Sequence, residues 1–151
     1  MAKIAHHIEI ARPSAAVFSY LDQLERRGEW QAQILRSKRD TPGPTHVGTR
    51  ITDVRRAPGG LQTVTYVITE YVPPERLAYE GVEGRVRPSG SVTIEPLDPS
   101  RSLVTIELTF VGSGVLGAIT APIARRQARN VAAADLRRLR ALLELTARAD
   151  R

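Results

Sequence analysis

The chain has no cysteine among its 151 residues. That excludes a disulfide framework and thiolate metal sites, and it suits a reducing compartment. Histidine is scarce as well: His6, His7 and His46 are the whole supply. No two of them stand with a carboxylate at metal-ligand spacing, so neither a metal nor another cofactor is expected. Nothing marks a nucleophile for a Ser-His-Asp arrangement. The glycines of GVEGR and APGG sit in turns, without the strand-to-helix context of a phosphate loop.

Clean apolar runs are missing too. MAKIAHHIEIARP is broken by His6, His7, Glu9 and Arg12, so it lacks the core of a secretory signal, and a cytoplasmic location is expected. Between Arg101 and Arg125 there are enough residues to span a bilayer. Glu107 lies inside that stretch at a cost of about 3 kcal/mol near a bilayer centre, and Thr105, Thr109, Gly112, Ser113, Gly114 and Pro122 dilute the rest. Integral membrane association is therefore not expected. Aromatics make up only 5% of the chain, and none falls between Ala118 and Ala149. That segment offers no stacking platform for single-stranded nucleic acid.

What is present is enough chain for one sizeable core, read as a single domain over residues 1–151. The net charge of +6 is concentrated from Gly114 onward, where eight arginines face only Asp135, Glu144 and Asp150. Leucines 136, 139 and 143 are interleaved with those arginines at helical spacing, so the charge reads as the solvated back of a packed helix rather than a nucleic-acid or lipid-headgroup surface.

Periodicity gives the element order. Ile4, His6, Ile8 and Ile10 share one parity and form a half-buried strand ending at Arg12-Pro13. Two short helical pieces follow, one from Pro13-Ser14 carrying Val17, Phe18 and Leu21, the other over Asp22 to Arg27 and ended by Gly28. The pattern then switches to period two. Strands are expected at Ile34–Arg39, Val47–Arg56, Leu61–Val72, Leu77–Gly81, Val86–Glu95 and Leu103–Val111, with TPGPT, APGG, PPE, EG and DPSR as turns. Such short turns impose antiparallel pairing. Ala118 to Ala149 reads as one long amphipathic helix with Ala128, Ala132, Leu136, Leu139, Leu143 and Thr146 on its apolar stripe. The class is α+β, with a seven-stranded antiparallel sheet burying one face against that helix.

Four stretches taken in this order resemble the helix-grip superfamily, which holds the birch pollen allergen, the START lipid-transfer domains and the polyketide cyclase and dehydrase-like (SRPBCC) proteins. They are IEIARPSAAVFSYLDQLERRGEW, VGTRI, VITEYVPPERLAYEG and GVLG…APIARR…AAADLRRLRALLE. The resemblance implies a curved sheet wrapped around the C-terminal helix, with a cavity between them for an apolar or amphipathic ligand. No catalytic motif carries over residue by residue.

Strand parity then nominates the wall of that cavity. Tyr66 and Ile68 lie on the Val64 face of one strand, Leu77 and Tyr79 on the next, and Ile106, Leu108 and Phe110 on the Val104 face of the last. Leu116, Ile119, Ile123 and Gln127 recur at threes and fours on one side of the helix, and Trp30 follows the short helices. Plain core packing is the alternative role for every one of these side chains, and for Trp30 ligand wall and structural plug stand level. Glu70 shares the Val64 parity but is read as structural. The first functional expectation is a non-enzymatic carrier or sensor of a hydrophobic small molecule such as a lipid, polyketide or isoprenoid. The alternative is a cyclase or dehydratase-like enzyme on aromatic polyketide intermediates, with Tyr66, Tyr79 or His6 positioning oxygens. A closed cavity smaller than about 300 Å³ would argue against both. Monomer and homodimer remain equally open. Gly112 to Ile123, with its glycine turn and Pro122, is expected to form a movable lip over the cavity.

Overall fold

The computed structural model describes residues 3–57, 59–84, 87–111 and 122–149. In chain order these form β1 (Lys3–Ile10), α1 (Ser14–Leu21), a 3-10 segment (Leu24–Glu29), β2 (Ile34–Arg39), β3 (Arg50–Ala57), β4 (Gly60–Val72), β5 (Arg76–Glu83), β6 (Arg87–Asp98), β7 (Arg101–Val111) and α2 (Pro122–Ala149). The expected α+β helix-grip fold is present. All seven strands pair antiparallel in the order β1-β7-β6-β5-β4-β3-β2. Hairpins carry the chain from β2 to β7 across the sheet, and β1 closes the far edge against β7. Among the described residues no helix is long and apolar enough to cross a membrane.

The sheet's inner face and α2 share one apolar core. Ala132, Leu136, Leu139 and Leu143 of α2 are buried with Ile10, Ile51, Ile68, Val104 and Ile106 of the sheet and with Val17, Phe18, Leu21, Leu24 and Trp30. Among the described residues, four hydrogen bonds tie the helix to the rest of the chain. At one end the Ala11 N–H donates to Glu144 Oε2 (3.2 Å) and Arg12 Nη1 to the Leu143 carbonyl (2.9 Å). Nearer its start the Ala32 N–H donates to Asp135 Oδ1 (3.2 Å) and Arg138 Nη1 to the Trp30 carbonyl (3.0 Å).

Local chemistry moves several expected boundaries. The strand expected from Val47 begins only at Arg50, because Gly48 turns the chain at φ +99°, a conformation that favours glycine. Thr49 closes that turn, its hydroxyl accepting from the His46 N–H (2.9 Å). Gly28 does not end its helical piece but lies inside the 3-10 segment, which continues to Glu29. Thr146 is exposed rather than on the buried stripe, and its hydroxyl bonds back to the Leu142 carbonyl at 2.8 Å. In β4 a bulge leaves Thr69 without a partner between Ile68 and Glu70 and reverses the alternation. Glu70 therefore faces out, 2.5 Å from Arg76. Tyr71 faces in instead, against Phe18 and with its hydroxyl on Asp22 (2.9 Å). Of the lip expected over Gly112 to Ile123, residues 112–121, with Leu116 and Ile119, lie outside the described residues, as do the side chains of Phe110 and Ile123.

One ion pair ties the 3-10 segment to the sheet. Asp53, fully buried on β3, accepts Arg27 Nη2 on both carboxylate oxygens (2.5 and 2.6 Å) and the Ser37 hydroxyl on Oδ1 (2.6 Å). Replacing such a pair with apolar residues is tolerable, but removing one partner strands a buried charge. Asp53→Asn should therefore lower unfolding free energy by about 3–5 kcal/mol in urea titrations, with Arg27→Met in the same chain recovering most of it. A loss below about 1 kcal/mol would mean that Arg27 finds another partner.

Candidate functional site

Between the concave face of the sheet, the 3-10 segment and α2 lies a partly open cavity of about 290 Å³. Its wall is asymmetric. Toward β6 and β7 it is apolar, with Val92, Ile94, Ile106 and Leu108 joined by Phe18, Leu21 and Leu77. Toward β3 and β4 it turns polar, where Arg27, Arg55 and Tyr66 line it together with Gln127 and Asp135 of α2.

Tyr66 is the pivot of the polar side. Arg27, held by Asp53, places its guanidinium carbon 5.1 Å from the centre of the Tyr66 ring, a cation–π contact. Arg55 donates from Nη1 to the Tyr66 hydroxyl at 2.6 Å. The Tyr79 ring meets Tyr66 edge to face, centroids 5.3 Å apart at 87°. Burial pushes the Tyr66 hydroxyl above the usual phenol range and lifts Tyr79 to about 12. Both are thus neutral phenols near pH 7, able to donate or accept a hydrogen bond but unsuited to act as bases. Asp135 is also shifted upward by burial, an effect opposed by the Ala32 N–H and by the charges of Arg138 and Arg55.

The Tyr79 ring has its place because residue 90 is glycine. Gly90 is its cross-strand partner on β6, and a Cβ there would stand 2.8 Å from the Tyr79 hydroxyl and 2.6 Å from the Glu107 carbonyl oxygen. The missing side chain gives the phenol its seat.

Of the side chains read from sequence as the wall, Trp30, Tyr66, Ile68, Tyr79, Ile106, Leu108 and Gln127 are brought together around the cavity. His6 keeps its inward parity on β1, but it is not among the described lining residues, and its Nε2 is buried without a hydrogen-bond partner. Among the described residues no group of three or more His, Cys, Asp or Glu could hold a metal ion. Arg27, Arg55 and Asp135 were not found from sequence. The signal for Arg55 was its place on the Ile51/Asp53 parity of β3, a charge where a buried residue belongs. For Asp135 it was a carboxylate beside Leu136 on the buried side of α2.

Comparison with known proteins agrees with the architecture. A family described as polyketide cyclase / dehydrase and lipid transport matches residues 1–144. An uncharacterised 17.2 kDa protein from Streptomyces lincolnensis is 26% identical over 110 residues, 73% of this chain and 69% of its own length. A START superfamily protein from Mycobacterium smegmatis superposes with a TM-score of 0.80 at 13% identity, covering 95% of this chain and 98% of that one. The Zhui aromatase/cyclase from Streptomyces sp. R1128 superposes at 0.72 and 19% identity, covering 95% and 93%. At such identities these two structures speak for the fold alone.

Two outcomes follow from the wall. Gly90→Ala should cost about 1–3 kcal/mol in urea unfolding, as overpacking does, and should abolish the ring-to-ring NOEs between Tyr66 and Tyr79. Unchanged stability and NOEs would mean that the β6 backbone yields freely. For Asp135, the folded state holds the proton more tightly than the unfolded chain, so ionisation at neutral pH opposes folding, and this penalty vanishes below the ordinary carboxyl range. Asp135→Asn should accordingly melt above the parent at pH 7, with the gap closing as pH falls toward 3. A gap that widens on acidification would contradict the burial argument.

Proposed function

Because the chain belongs to the polyketide cyclase / dehydrase and lipid-transport family, we propose that it binds or carries a hydrophobic small molecule in the cavity between sheet and α2. The observation that carries this reading is the partly open, predominantly apolar chamber with a few convergent polar groups, the usual make-up of a small-molecule site. Its volume of about 290 Å³ sits at the lower edge of such sites. The cavity is not closed, so a longer ligand can extend through its mouth. Trp30, Tyr66, Ile68, Tyr79, Ile106, Leu108 and Gln127 are the proposed contacts, with Phe18 and Val92 added by the geometry.

A second reading, a cyclase or dehydratase-like enzyme on an aromatic polyketide intermediate, is favoured by one contact. The Arg55–Tyr66 hydrogen bond sets a charged donor behind a phenol on the cavity wall, an arrangement suited to polarising a carbonyl or enol oxygen. Asp135 is the one carboxylate among the described lining residues. On this reading Tyr66→Phe abolishes turnover while the melting temperature stays near the parent's.

Trp30 is the chain's single tryptophan and lies on the cavity wall, so its fluorescence reports occupancy directly. Compounds that copurify, identified by native mass spectrometry, and a panel of one- and two-ring hydrophobic molecules should shift Trp30 emission saturably. Leu108→Phe, which fills part of the chamber, should weaken binding at least tenfold. No copurifying ligand and no saturable shift with any panel member would end the carrier reading.

A further inference from the structure

Arg55 is a guanidinium on the cavity wall without an ionic partner. It is partly buried, and among the described residues no carboxylate lies within 4 Å of it. Its neighbour Arg27 is different, since both oxygens of Asp53 are committed to Arg27 Nη2. The other nearby carboxylate, Asp135, accepts the Ala32 N–H on Oδ1 and has that same oxygen 3.6 Å from Arg138 Nη1. Arg55 has five N–H donors, and the one hydrogen bond it makes among the described residues takes Nη1 to the Tyr66 hydroxyl. A cation on a mostly apolar wall costs free energy unless it is paired. Gln31, Gln33, Gln127 and Trp30 line the same chamber, and its one carboxylate among the described residues, Asp135, lies beyond 4 Å from Arg55, although the two charges act on each other.

We propose that the missing partner is the ligand's own anion: the cavity takes a small aromatic or alicyclic acid, its carboxylate paired with Arg55 and its ring between Tyr66, Tyr79 and the apolar wall of β6 and β7. A planar carboxylate fits a guanidinium through two parallel hydrogen bonds, and the Tyr66 hydroxyl holds that guanidinium in place through Nη1. Asp135 sets the limit on the charge that is accepted. Its carboxylate lines the same chamber and, when ionised, opposes a further negative charge there. The chamber thereby suits one carboxylate and disfavours a dianion.

This inference rests on the carrier reading, and a matched pair of probes separates the two. Trp30 fluorescence at pH 7.5 would be titrated with 2-naphthoic acid and with 2-naphthamide, which share a skeleton and differ in charge. The acid should bind at least tenfold more tightly than the amide. Arg55→Gln should bring the acid to the level of the amide and leave the amide within twofold of its parent value. Arg55→Lys, which keeps the charge and guards against a folding defect in the glutamine variant, should retain part of the preference. Asp135→Asn should tighten the acid and not the amide. Equal binding of acid and amide by the parent protein, or loss of both probes in Arg55→Gln and Arg55→Lys alike, overturns the anionic ligand while leaving a hydrophobic carrier standing. Failure of both probes to bind the parent overturns the anionic ligand, and only if no other hydrophobic panel member binds either does it overturn the carrier reading with it.

Discussion

A single helix has to cover the concave face of a seven-stranded sheet, and everything else in this molecule follows from the shortfall. Antiparallel strands joined by short turns must twist, and twisting curls the sheet. The concave face is then wider than α2, a cylinder about 10 Å across with its side chains. The helix runs most closely along β1 and is fixed there by the Ala11–Glu144 and Arg12–Leu143 bonds. Seated on that edge, it cannot also press against the backbone of β3 to β6. Part of the gap is filled by α1 and the 3-10 segment, which bring Phe18, Leu21, Leu24 and Trp30 into the core. What they leave is the chamber.

The bonds that position the helix also shape the chamber's chemistry. Asp135 and Arg138 dock α2 onto the Ala32 N–H and the Trp30 carbonyl. The same contacts bring a carboxylate to the wall and orient the segment that carries Trp30. On the other side, the Arg27–Asp53 pair joins the 3-10 segment to β3 and places a cation over Tyr66. Fold-holding and wall-building are therefore not separable here. A change at Asp53 acts on the stability of the 3-10 segment and on the electrostatics around Tyr66 together.

Period-two alternation with short turns made the meander legible, and the helix stripe at Ala132, Leu136, Leu139 and Leu143 was legible for the same reason. Both patterns arise from burial on one face, which sequence records directly. Legibility stopped where the backbone departs from regularity. The bulge at Thr69 cannot be seen in TYVITEYV, so strict alternation placed Glu70 inward and left Tyr71 as noise. The turn at Gly48 and Thr49 was written into VGTRI but was read as the head of a strand. Pro122, awkward in a helix expected from Ala118, is the first residue described in α2. The polar side of the chamber was hidden for a different reason. Tyr66 was nominated by strand parity, but Arg27, Arg55 and Asp135 come from three further elements, and only the tertiary structure brings them to it.

That convergence bears on what kind of interior this is. A core selected for stability alone would do better without Arg55 and Asp135, since apolar residues of similar volume could close the gap without the cost of burying charge. It would also not need glycine at position 90, where a side chain is excluded so that one phenol can lie over the backbone. Local departures from good packing concentrate at functional sites. In this chain the departures are not scattered. Arg55 and Asp135 border the same chamber as Tyr66 and Tyr79, Gly90 seats one of those rings, and the wall toward β6 and β7 is apolar. Charged and apolar groups thus border the two sides of one cavity, an arrangement that suits the proposed ligand with one polar end and one apolar end.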